Sequence, residues 1–160
     1  MKKIESFQVD HIKLNKGVYV SRIDYMSDQS YALTTYDIRM KLPNREPVLN
    51  TGEIHTIEHL GATFLRNHDI YNQNTIYFGP MGCRTGFYLI LKGEKTSLEV
   101  LPIISEMFDY IASFEGEIPG ADPVSCGNYS DMNLEVAKRE ALEYKKNVLD
   151  HMKDENFTYP

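Results

Sequence analysis

The segment His55-Thr56-Ile57-Glu58-His59 sets two imidazoles four residues apart with a carboxylate between them. On a helix advancing about 100° per residue, these three side chains fall within about 100° of one face, so both imidazoles can reach one metal ion. A histidine pair at a core edge, holding nothing, fits H-x-x-x-H alone equally well. Glu58 tips the reading toward the inverted zincin pattern H-x-x-E-H, in which the histidines hold metal and the glutamate handles protons. A catalytic divalent site usually takes three protein donors and leaves the fourth position to water or substrate, so a third ligand must come from elsewhere. Cys126, in Ser125-Cys126-Gly127, lies among loop-forming residues and is the candidate; the competing role is a small buried hydrophobe. Cys83 sits in Pro80-Met81-Gly82-Cys83-Arg84-Thr85-Gly86, where glycines let the backbone approach a ligand and Arg84 or a metal favours a thiolate. It reads as an acid/base thiol or as a turn cysteine without chemistry. His11 follows Asp10. Arg39, in Tyr36-Asp37-Ile38-Arg39-Met40, either faces solvent beside Asp37, the simpler reading, or enters a pocket to pair a carboxylate. His68 and His151 stand at helix ends and read as surface residues.

These groups need elements to carry them. Residues 18–25 and 31–42 are rich in β-branched and aromatic side chains around Ser27-Asp28-Gln29-Ser30, which predicts an antiparallel pair. From Asn50 the period becomes helical through Ile54, Ile57, Gly61, Phe64 and Leu65, and a helix to about Asn67 follows. Residues 75–78 and 86–92 read as two further strands about the glycine-punctuated turn. A helix over Thr96–Phe114 contains Pro102, which should kink or delay its first turn. A Gly- and Pro-rich loop occupies residues 115–130, and Leu134, Ala137, Ala141, Tyr144 and Val148 mark a last amphipathic helix. Paired strands without βαβ alternation favour an α+β fold, with helices packed against an antiparallel sheet.

A length of 160 residues fits one domain, residues 1–160, around one core. Hydrophobic residues at 42% and charged residues at 25% exclude a disordered, collagenous or coiled-coil chain. The net charge of −6, with no block of like charge, argues against nucleic acid. No run reaches membrane-spanning length, and the first residues lack the continuous apolar stretch of a signal peptide. A cytoplasmic location is therefore expected, where two cysteines serve as thiols, ligands or catalysts rather than as a disulfide.

Taken in register, E-S-F-x-V-D-H at 5–11, Y-D-I-R at 36–39, H-T-I-E-H at 55–59, G-P-M-G-C-R-T-G-F-Y at 79–88 and C-G at 126–127 resemble the S-ribosylhomocysteine lyase (LuxS) family. The resemblance runs from residue 4 to about residue 150. It implies a homodimer with two active sites at the subunit interface. It also implies one divalent metal per subunit, Fe(II) natively and commonly replaced by Zn(II). The implied reaction cleaves S-ribosylhomocysteine to homocysteine and 4,5-dihydroxy-2,3-pentanedione, the autoinducer-2 precursor used in quorum sensing. It further implies His55, His59 and Cys126 as metal ligands, Glu58 and Cys83 as the acid/base pair, and Ser6, His11 and Arg39 as substrate-binding residues. The chain departs from the family pattern at Thr35, where lysine is frequent, and at Tyr77, where aspartate often precedes the P-M-G-C turn. The rival function is a small H-x-x-E-H zinc metallopeptidase, but such enzymes are larger and typically take a carboxylate as third ligand. A structural zinc module would need four ligands and closely spaced cysteine pairs, which are absent.

Overall fold

The computed structural model describes residue 4, residues 7–26 and residues 31–160. Four strands, β1 (Gly17–Tyr25), β2 (Ala32–Arg39), β3 (Thr75–Pro80) and β4 (Gly86–Lys92), form one sheet in the order β1-β2-β4-β3. Every neighbouring pair is antiparallel. The turn expected at Ser27–Ser30 lies outside the described residues. β2 ends earlier than its composition suggests, because the Met40 and Lys41 N–H groups both turn to the Thr85 carbonyl. Side chains alternate across the sheet. Val18, Tyr36, Ile38, Phe87, Leu89 and Leu91 form the apolar face and join the main core. Tyr19, Asp37, Arg39 and Tyr88 occupy the opposite face.

Three helices pack on the apolar side: α1 (Thr51–Asn67), α2 (Ser97–Ser113) and α3 (Leu134–Asn147). The antiparallel α+β architecture is thus as the pattern predicts. Ile57, Leu60 and Leu65 anchor α1 with no exposed surface, each worth about 1.5–3 kcal/mol on burial. The helix starts where Glu53 reaches back to accept the Asn50 N–H. At Gly61 the helix comes so close to β3 that a Cβ would lie 2.4 Å from the Phe78 ring. α1 is therefore held tightly against the sheet at a fixed height, which fixes His59 and His55, two and six residues earlier. α2 begins at Ser97 without the delay expected from Pro102, which lies within it. The N–H that proline lacks would have met the Leu98 carbonyl, and Leu98 is exposed, so water can serve that group. Single 3-10 turns at Tyr129–Asp131, Leu149–His151 and Asp154–Asn156 complete the elements.

Candidate metal centre

α1 presents His55 and His59 one turn apart, with ring centroids separated by 4.8 Å. The loop before α3 brings Cys126 to them, 71 residues away in the chain from His55. The donor atoms of the three residues all lie within 4.8 Å of one another. Cys126 Sγ lies 3.4 Å from His55 Nε2. Metal–N bonds of about 2.0–2.1 Å and metal–S bonds of about 2.3 Å meeting at a tetrahedral angle give an edge of about 3.5–3.6 Å. The Cys126–His55 separation therefore matches one edge of a four-coordinate divalent site, and the donor set is of the kind that leaves one position open.

Hydrogen bonds on the far side of each ring fix which nitrogen is free. His55 Nδ1 lies 2.8 Å from the Asp131 carboxylate, and His59 Nδ1 lies 2.8 Å from the Pro119 carbonyl. Both partners only accept, so each Nδ1 carries a proton and each Nε2 keeps its lone pair for a metal. Gly120, at φ +72°, follows the Pro119 carbonyl, and a Cβ there would lie 3.4 Å from the His59 ring. The glycine allows the left-handed turn that aims the Pro119 carbonyl at the imidazole. The half-buried Cys126 sulfur accepts the Asn128 N–H at 3.5 Å, so it is no buried hydrophobe.

Beside this group a cleft of about 280 Å³ runs between α1 and the turn joining β3 to β4. Thr51, Ile54, His55 and Glu58 form one wall, and Pro80, Met81, Gly82 and Arg84 form the other. The turn is fixed by bonds from Met81 N to Gly86 O and from Leu49 N to Arg84 O, with Arg84 at φ +58°. Such a value is uncommon for a non-glycine residue and marks a constrained turn at its tip, next to Cys83.

The exposed Cys83 sits between those wall residues in sequence and belongs to a second polar group. Its sulfur lies 3.0 Å from the Thr85 hydroxyl and 3.8 Å from Arg39 Nη1. Burial pushes the thiol up, but the Thr85 hydroxyl and N–H and the Arg39 charge outweigh it and hold Cys83 below the usual thiol range. Arg39 does not face solvent. It is 3% exposed and sets its Nε and Nη2 on Asp37 at 3.1 and 2.5 Å, while Nη1 donates to Thr85 at 2.5 Å. The sequence reading of a solvated arginine fails because the terminal segments cover this sheet face. His11 and Val9 on one side and Tyr159 on the other leave only a small gap above Asp37 and Arg39. His11 Nδ1 donates to the Val9 carbonyl, 2.9 Å away.

Ser6 lies outside the described residues. His151 is exposed as expected, whereas His68 is only 20% exposed in its side chain and accepts the Ile70 and Tyr71 N–H groups. Sequence reasoning missed Asp131, Pro119 and Thr85. Thr85 lies two residues from Cys83 but across a turn with Arg84 at φ +58°, so neither it nor Asp131 nor Pro119 carries a periodicity signal. Thr35 and Tyr77, where the sequence reading expects departures from the family pattern, lie on β2 and β3, and Tyr77 is 45% exposed.

Fold and site together define an α+β protein with a His₂Cys group that could hold a metal ion beside an open cleft. The profile of the family described as S-Ribosylhomocysteinase (LuxS) matches residues 4–155. A protein of Finegoldia magna named S-ribosylhomocysteine lyase is 56% identical over 160 residues, covering 100% of this chain and 99% of that relative. Proteins of the same name from Clostridium acetobutylicum and Porphyromonas gingivalis are 55% and 52% identical, again over 100% of this chain and 99% of each relative. The chain belongs to the S-ribosylhomocysteinase (LuxS) family.

Proposed function

We infer that the chain, as a single domain over residues 1–160, is a carbon–sulfur lyase that cleaves S-ribosylhomocysteine to homocysteine and 4,5-dihydroxy-2,3-pentanedione. The observation that carries the reading is the His55, His59 and Cys126 donor group, with both Nε2 atoms freed, in a chain that matches the family along nearly its whole length. The metallopeptidase reading fits neither the relatives' name nor a thiol as third donor.

His55, His59 and Cys126 hold one divalent ion per chain. Imidazole and thiolate donors suit iron and zinc alike, and Fe(II) is the native ion in this proposal, with Zn(II) able to replace it. When bound, the ion supplies Lewis-acid stabilisation of negative charge on the substrate's carbonyl and hydroxyl oxygens. Proton transfer is left to the protein. Moving the sugar carbonyl from C1 to C2 takes a proton from C2 and returns one to C1, and a second shift moves it to C3. Loss of the C4 proton then expels the homocysteine thiolate from C5, and the enol left behind becomes the dione. No net oxidation occurs. Glu58, on the α1 wall, and Cys83, between residues of the opposite wall, are the groups that take and return these protons. A thiol held below its usual range supplies the thiolate that this role needs. Ser6, His11 and Arg39 form the substrate-binding group, and Arg39 bears on the site from behind Cys83.

The working unit in this proposal is a homodimer whose subunits share each site, and closed two-fold assemblies are the commonest homo-oligomers. Phe7 and Ile12, 74% and 72% exposed, leave apolar surface beside His11 for a second subunit to cover. The compartment is the cytoplasm, and none of the helices among the described residues is long and apolar enough to cross a membrane. The product serves autoinducer-2 signalling and the reaction returns homocysteine to the activated methyl cycle. The test is thiol release from S-ribosylhomocysteine by anaerobically purified protein, beside hydrolysis of an unstructured protein substrate. Release of homocysteine with stoichiometric metal is the expected result; proteolysis without thiol release would overturn the reading.

A further inference from the structure

We infer that Tyr159, the penultimate residue, is a positioning residue for Cys83, acting through the Asp37–Arg39 pair on the sheet face opposite the helices. The inference rests on the reading of Cys83 as the acid/base thiol. The contacts run in one unbroken series. Tyr159 Oη donates to Asp37 Oδ2 at 2.9 Å, Arg39 binds both oxygens of that carboxylate, and Arg39 Nη1 reaches Thr85 and Cys83.

The tail is built into this place. Asn156 Nδ2 donates to the Lys16 carbonyl at 2.8 Å, and the Asn156 backbone passes so near Gly17 that a Cβ there would lie 2.3 Å from its oxygen. Three residues on, the Tyr159 ring stacks on Tyr19 with centroids 4.8 Å apart and planes 15° from parallel. Tyr19 and Asp37 face each other across β1 and β2, so a ring laid on Tyr19 brings its hydroxyl to Asp37. Stacking sets the ring, and the register sets its partner.

Asp37 needs this donor. At 1% exposure its carboxylate is disfavoured by burial, which raises it against the opposing effects of Arg39, Tyr159 and His11. Tyr19 and Tyr88 flank Asp37 on the neighbouring strands, and Tyr144 also feels its charge. Burial and the Asp37 charge push Tyr159 itself up, so its hydroxyl stays a donor. Without that hydrogen bond the carboxylate is less well held in its ionised form, the guanidinium loses part of its anchor, and the donor behind Cys83 is less firmly placed.

The experiment uses the full metal-loaded chain with Tyr159→Phe, which keeps the ring and loses the hydroxyl, and Tyr159→Ala, which loses both. Alkylation of Cys83 by iodoacetamide is followed across pH and localised by peptide mass spectrometry. Thermal unfolding is followed in parallel. The expected result is an upward shift of the Cys83 midpoint by about half a unit in both variants, a roughly threefold slower reaction well below the midpoint. Only Tyr159→Ala should lose substantial thermal stability. A wild-type Cys83 profile in Tyr159→Phe would overturn the inference, because packing alone would then account for the residue. Failure of the wild-type chain to release thiol from S-ribosylhomocysteine would refute the proposed function and leave the alkylation result standing.

Discussion

Replacing Asp131 by alanine removes the acceptor that holds His55 Nδ1 at 2.8 Å and should loosen one ligand of the three. A hydrogen bond to a charged group is worth about 1.5–3 kcal/mol. The Asp131 side chain is 30% exposed, so water replaces part of that contribution and a net of about 1–2 kcal/mol is reasonable. At about 1.4 kcal/mol per tenfold, metal affinity should fall by about 5- to 30-fold, overlapping the lower part of the roughly 10- to 100-fold range common for partners behind a metal ligand. Asp131→Asn keeps an acceptor without its charge and should lose about threefold. The His59 anchor to Pro119 is untouched in both variants, so neither should release metal outright as His55→Ala should. The assay is Zn(II) competition against a coloured chelator on anaerobically prepared apoprotein, with the Co(II) absorption spectrum reporting ligand geometry. Thermal unfolding of the apoprotein separates misfolding from weakened binding. Wild-type affinity and an unchanged Co(II) spectrum in Asp131→Ala would refute the argument that this carboxylate orients the imidazole.

Glu58→Gln and Cys83→Ala leave all three proposed ligands in place, so each should retain its metal by elemental analysis while losing about 10²-fold or more in thiol release; metal loss in either would show that the residue acts structurally. Gly61→Ala puts a Cβ 2.4 Å from the Phe78 ring and should cost about 1–3 kcal/mol in chemical denaturation, with weaker metal binding as α1 is pushed from β3. At high pH the fold should lose stability, since burial raises Tyr36 to about 12 and pushes Tyr19, Tyr144 and Tyr159 up as well. A raised pKa gives stability that is complete below the unfolded tyrosine value of about 10 and is lost as pH rises through the folded values, so denaturant midpoints should fall progressively above about pH 10. Flat midpoints there would contradict the burial of these phenols. For the proposed homodimer, sedimentation at assay concentration should give a dimer; full thiol release by a monomer excludes the arrangement.

What is local was legible in the order of the residues. Helical period placed His55, Glu58 and His59 on one face of α1, and strand and turn chemistry placed Cys83 between β3 and β4, because both depend on neighbours a few residues away. The family resemblance added the rest of the residue set, and the profile match over residues 4–155 bears out the family itself. How those groups are held depends on contacts between segments far apart in the chain. The acceptors that free the two Nε2 atoms stand 76 and 60 residues from their histidines, at distances no periodicity encodes. Arg39 shows the limit most plainly. Alternation puts Asp37 and Arg39 on one face of β2, but whether that face meets solvent depends on what is laid over it. Residues 9–11 and Tyr159, from the two ends of the chain, cover it and turn a surface ion pair into a buried support for Cys83.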